Sequence, residues 1–125
     1  MTADKVVDAS ALAALTFNEP DGPAVEVRLS GAALYAPRLI EVEMASVCLK
    51  KIRNAGYPRD VVMRLYLAYP NVGIRKMDVE FVEAIELAER LQLSLYDASY
   101  LWLARHLGAE LVTLDEKLAK AAKAS

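Results

Sequence analysis

Four short runs of strand character, each followed by a longer stretch of helical pattern, constrain this chain more than any other feature. "KVVDAS", "ALYAP", "NVGIRKMD" and "AELVTLD" read as strands. Tyr35 and Ala36 are held extended by the approach to Pro37. Strands that alternate with longer helices bury both faces of a sheet. The order therefore predicts an α/β fold: a three-layer α/β/α sandwich around a small, mainly parallel central sheet.

The intervening segments carry helical spacing. "ALAALTFNE" follows the first strand and stops at Pro20, Gly22 and Pro23. "AVEVRLSG" is helical to near Gly31. Residues 38–55 place Ile40, Met44, Val47, Cys48 and Ile52 on one face, and Gly56 and Pro58 end that helix. "RDVVMRLYLAYP", "VEFVEAIELAERLQ", "SLYDASYLWLARHLG" and "EKLAKAAKAS" supply the rest, with Gly108 as a C-terminal stop. A chain of 125 residues with no linker or repeat predicts one domain, 1–125, large enough for a core without staples.

Composition narrows the classes. A 55% hydrophobic and 26% charged chain is globular rather than disordered. A net charge of −2 gives no overall basic excess, so nucleic-acid binding would rest on local patches. Cys48 is the only cysteine, which excludes an internal disulfide and a cysteine-based zinc site and fits a reduced compartment. No apolar run reaches the roughly 20 residues of a membrane span. The start "MTADKVVDAS" lacks signal-peptide order. A soluble, cytoplasmic protein without membrane partners is the expectation.

The acids carry the chemistry. Asp-Ala-Ser occurs at residues 8–10 and again at 97–99, and a third acid, Asp115, closes "AELVTLD". Taken singly, each is explained by helix capping: Asp8 before "ASALAAL", and capping boxes of Ser94 with Asp97 and of Thr113 with Glu116. Taken together, they ask for more. Asp8 and Asp115 fall at the carboxyl ends of strand patterns, where open parallel sheets bind ligands. Asp97 shares a helix face with Tyr100, Leu101 and Ala104, and a carboxylate on packed surface needs a cation, a hydrogen-bond network or a proton. A fourth acid comes from the helix at 38–55, where helical spacing leaves Glu41 and Glu43 both open. An all-carboxylate cluster selects hard cations such as Mg2+ or Mn2+, and these serve phosphate chemistry.

At these residues the sequence resembles the PIN domain, and in particular the single-domain VapC-type toxins. "VVDASALAAL" matches the family's first acid with Asp8 and a small hydroxyl with Ser10. "APRLIEVEMASVCLKKI" matches the family's Pro and following Glu with Pro37 and Glu43, which favours Glu43 over Glu41. "LSLYDASYLWLARHLGAELVTLDEKLAKAA" matches the third and fourth acids with Asp97 and Asp115, and a Thr-x-Asp with Thr113. Ser46 departs from an Asn common in relatives. The resemblance implies an Mg2+- or Mn2+-dependent endoribonuclease leaving 5′-phosphate and 3′-hydroxyl ends. Asp8, Glu43, Asp97 and Asp115 would be its catalytic metal ligands, with Thr113, Ser10 and Ser46 in support. It also implies an RNA substrate, a cognate antitoxin and a homodimer.

Other features have plainer readings. His106 is a surface or helix-end residue. Lys50, Lys51 and Arg53, then Arg59 and Arg64, then Arg75 and Lys76 form solvated faces or track RNA. Arg38 either contacts substrate or pairs with Glu41. Tyr100 and Trp102 stand two apart on one helix, so one points inward and the other toward a partner. The competing functions are a PIN-like binding module with little catalysis and a receiver-like phosphotransfer domain. The latter would need paired acids after the first strand, where only Asp8 stands.

Overall fold

The computed structural model describes residues 3–54 and 56–124. Strand β1 is Asp4–Val7, β2 Ala33–Pro37, β3 Arg75–Met77 and β4 Glu110–Val112. The helices are α1 Ala9–Thr16, α2 Gly22–Leu29, α3 Ile40–Asn54, α4 Arg59–Ala68, α5 Phe81–Leu91, α6 Leu95–Leu107 and α7 Glu116–Lys123. A 3₁₀ turn covers Tyr69–Val72. The expected end of the third helix at residue 55 lies outside the described residues.

All strand pairings are parallel, in the order β3-β2-β1-β4. Val6 pairs with Tyr35 on one side and with Leu111 on the other. The chain moves outward from β1 to β2 to β3, then returns to lay β4 on the far side of β1. In open parallel sheets such a reversal places a ligand crevice outside the carboxyl ends of the two strands, here β1 and β4. Pro37 is the last residue of β2, where its missing N–H breaks no interior ladder bond.

Helices cover both faces, as the strand–helix order requires. α5 packs on α6, and α6 crosses β1, β2 and β4. α1 packs on α2 and α3, and α3 on α4. Val6, Val7, Leu12, Ile40, Met44, Leu103 and Val112 are fully buried between these layers. Each such side chain contributes about 1.5–3 kcal/mol through burial. Ile40, Met44 and Cys48 are the buried stripe of α3. α6 ends where Gly108 adopts φ 63° and its N–H bonds back to the carbonyls of Ala104 and Arg105, a conformation that suits glycine.

Candidate active site

The β1–α1 and β4–α7 turns meet at Asp8. Its backbone N–H donates to the Val112 carbonyl at 3.2 Å, continuing the β1–β4 ladder past the strands. Its side chain caps α1, accepting from Ala11 N–H at 3.0 Å. The same oxygen accepts from Ser10 Oγ at 2.7 Å, and the other accepts from Thr113 Oγ1 at 2.5 Å. Ser10 also accepts from Leu114 N–H, and Thr113 from Asp115 N–H, each at 3.0 Å. Two hydroxyls thus tie one carboxylate to both turns. Asp8 is 4% exposed, so these bonds replace the water it gave up.

The other acids arrive on three further segments. Asp115 caps α7, with Oδ1 accepting from Leu118 N–H at 2.8 Å. Asp97 lies in the first turn of α6, whose cap is Ser94. Glu43 lies in the first turn of α3 and accepts from Tyr100 Oη at 2.7 Å.

Electrostatics link the four. Burial lifts the Asp8 carboxyl above its ordinary value, and the Asp115 charge adds to this, while bonds from Thr113, Ala11 and Ser10 oppose it. Glu43 is raised by burial and by the charges of Asp8 and Asp97, against the Tyr100 bond. Asp97 is raised by burial, then by Asp115 and Asp8, with Lys117 and Ser94 opposing. Among the described residues, the ion pairs join Lys5 and Arg28 to Glu110, Arg38 to Asp78, Lys51 to Glu19 and Lys76 to Glu41. None includes these four acids. The site is a concentration of negative charge that no ion pair among the described residues neutralises, with Lys117 as the one cation acting on Asp97.

The sequence profile of the PIN domain family matches residues 5–124. The chain belongs to the PIN domain family. This PIN domain is 31% identical over 120 residues to Ribonuclease VapC3 of Pyrobaculum aerophilum, covering 92% of each chain. It is 32% identical over 125 residues to Ribonuclease VapC3 of Mycobacterium tuberculosis, covering 93% of this chain and 85% of that one. Among solved structures, the fold is similar to PAE2754 from Pyrobaculum aerophilum, with a TM-score of 0.79, 24% identity and coverage of 98% of this chain and 82% of that one. It is also similar to VapC20 of Mycobacterium tuberculosis, a sarcin-ricin loop cleaving toxin, with a TM-score of 0.65, 17% identity and coverage of 94% and 95%.

The PIN domain's donor set suits a hard divalent cation: oxygen ligands, no sulfur or imidazole, and a charge that such an ion would neutralise. Among the described residues, no three Asp, Glu, His or Cys side chains stand ready as a compact ligating group. The four acids therefore share a field without sharing a preassembled cage.

Several expectations need correction. Thr113 and Glu116 do not form a capping box. Asp115 caps α7, because the Thr113 hydroxyl is occupied by Asp8 and by the Asp115 amide. Arg38 pairs with Asp78 at 2.7 Å rather than with Glu41, which pairs with Lys76. Ser46 is exposed beyond Glu43, and no hydrogen bond among the described residues ties it to the acids. His106 is exposed in the last turn of α6, as expected, and stacks on Trp102 with ring centroids 4.7 Å apart, while Trp102 donates to Glu83 at 2.8 Å. Tyr100 is the inward member of the aromatic pair. Its bond to Glu43 is the contact that sequence reasoning missed. The available signal was its position three residues after Asp97, one turn along the same face.

Proposed function

We propose that this chain is a divalent-metal-dependent endoribonuclease of the VapC type, acting as the toxin of a toxin–antitoxin pair. The observation that carries this reading is the set of four carboxylates from four segments, linked by mutual repulsion where the strand order reverses, with no ion pair to them among the described residues.

In this reading Asp8, Glu43, Asp97 and Asp115 hold Mg2+ or Mn2+. When bound there, such an ion would supply a Lewis acid that neutralises phosphate charge and acidifies water. The chain's own residues do the placing. Thr113 and Ser10 fix the Asp8 carboxylate against rotation. Asp115 is fixed by its cap to Leu118. Ser46 is free to meet substrate or solvent. Without the ion the same acids would repel an RNA phosphodiester, so the reaction depends on metal at the binding step as well as the chemical one. Hydrolysis leaves 5′-phosphate and 3′-hydroxyl ends. A cognate antitoxin covers the crevice when the toxin is silent.

The chain works as one domain and in the cytoplasm, where RNA and antitoxin are found. Among the described residues, no helix is long and apolar enough to cross a membrane. Phe81, Val82 and Ile85 stand exposed on one helix, α5. This apolar surface supports a homodimer.

The test is RNA cleavage with Mg2+, with a chelator and with Asp97→Asn, followed by chemical assignment of the product ends. Cleavage lost in the second and third conditions supports the proposal. Cleavage that survives a chelator, or that Asp97→Asn leaves untouched, overturns it and favours the binding module.

A further inference from the structure

Tyr100 belongs to none of the roles assigned above, yet it joins two of the segments that carry the acids. It follows Asp97 by three residues on α6, so its ring leaves the helix on the face that carries Asp97. The residue is 1% exposed and has the largest fully buried side chain among the described residues. Its hydroxyl end reaches Glu43 Oε1 on α3 at 2.7 Å, across 57 positions of sequence. A buried phenol needs a partner, and a carboxylate can only accept. The donor is therefore Tyr100, and the proton lies toward Glu43.

Glu43 needs such a restraint more than Asp8 or Asp115 does. Its carboxylate sits at the end of a longer, more flexible side chain, whereas Asp8 and Asp115 are held by helix caps. Among the described residues, the Tyr100 bond is the only hydrogen bond to the Glu43 side chain. It commits Oε1 and leaves Oε2 for the crevice.

We propose that Tyr100 is a positioning residue: its hydroxyl holds the Glu43 carboxylate beside the other acids and ties α3 to the helix that carries Asp97. This rests on the metal-site reading above. The plainer alternative is that Glu43 merely satisfies a buried phenol. In that case the hydroxyl can be removed without consequence for metal.

The test is Mn2+ binding by calorimetry to wild type, Tyr100→Phe and Tyr69→Phe. The last removes a hydroxyl from another buried tyrosine, outside the acid network. Circular dichroism and metal-free melting are recorded for each. The expected result is Mn2+ affinity weakened about 10- to 100-fold in Tyr100→Phe, the range for groups that orient a metal ligand. The metal-free melting temperature should stay close to wild type, and Tyr69→Phe should bind as wild type does. Equal affinity in wild type and Tyr100→Phe overturns the positioning role and leaves the metal site standing. Loss of fold in Tyr100→Phe also counts against it, because the residue would then act through the core. No binding by wild type overturns the metal-site reading itself.

Discussion

Thr113 and Asp8 are 105 residues apart in the chain, and the Thr113 hydroxyl donates to the Asp8 carboxylate at 2.5 Å. Both groups are buried, so the bond does two jobs: it satisfies a desolvated carboxylate and joins the two turns of the crevice. Thr113→Val keeps the branched shape and removes the donor. The expected loss is about 1–3 kcal/mol of stability, the penalty for a buried polar group without its partner. Urea unfolding measures it. Thr113→Ser should recover most of the loss, and a Val variant as stable as wild type would show that the bond adds nothing.

Asp97→Asn separates chemistry from folding. Asp97 is raised by burial and by the charges of Asp115 and Asp8, so removing its charge relieves repulsion. Metal-dependent cleavage should disappear while the metal-free melting temperature stays level or rises. Wild type should gain about 2.7 kcal/mol from Mn2+ at a hundredfold excess over Kd, and the variant should lose most of that gain. A variant that melts lower without metal and responds normally to Mn2+ would contradict the assignment.

Metal-free stability should increase on mild acidification. Asp8, Glu43 and Asp97 all have raised pKa values in the folded protein, from ordinary values of 3.8 for Asp and 4.5 for Glu. Between the ordinary and the raised values, the native state binds more protons than the unfolded chain. Stability is therefore lost as pH rises through the raised values, and it is gained on going down. Melting temperatures taken in chelator from neutral pH to about pH 5 should climb. With saturating Mn2+ the trend should weaken or reverse, because protons then compete with the ion. A flat profile without metal would mean that the three acids do not carry this strain.

Gly22 is required by packing rather than by function. A Cβ there would lie 2.7 Å from the Ala14 carbonyl oxygen, where α2 crosses α1. Gly22→Ala should destabilise by about 1–3 kcal/mol in the same urea assay, since the obstacle is backbone and cannot rotate away. Cleavage by the folded fraction should be unchanged.

How much of this was legible in the sequence depends on the range of the interaction. The strand ending at Val7, the cap at Asp8 and the stop at Gly108 are decided by neighbours, and they stand where the local pattern put them. The choice between Glu41 and Glu43 is not local. They are two residues apart on α3, so they face different ways, and the outcome depends on how Ile40, Met44 and Cys48 seat the helix. Only then does Glu43 meet Tyr100 while Glu41 meets Lys76. The capping box at Thr113 failed for the same reason. Its spacing was right, but its hydroxyl was claimed from the other end of the chain.

The outer strands have a consequence for how copies of this protein can meet. β3 and β4 are three residues each, and they carry Arg75 and Lys76 on one side of the sheet and Glu110 on the other. A strand laid along either edge would find few open amides and carbonyls and a charge at the rim, which is poor footing for fibril growth. Growth by extending the sheet is thus discouraged at both ends. Any contact between copies would fall to the helical layers, where apolar side chains such as Phe81 and Val82 stand exposed.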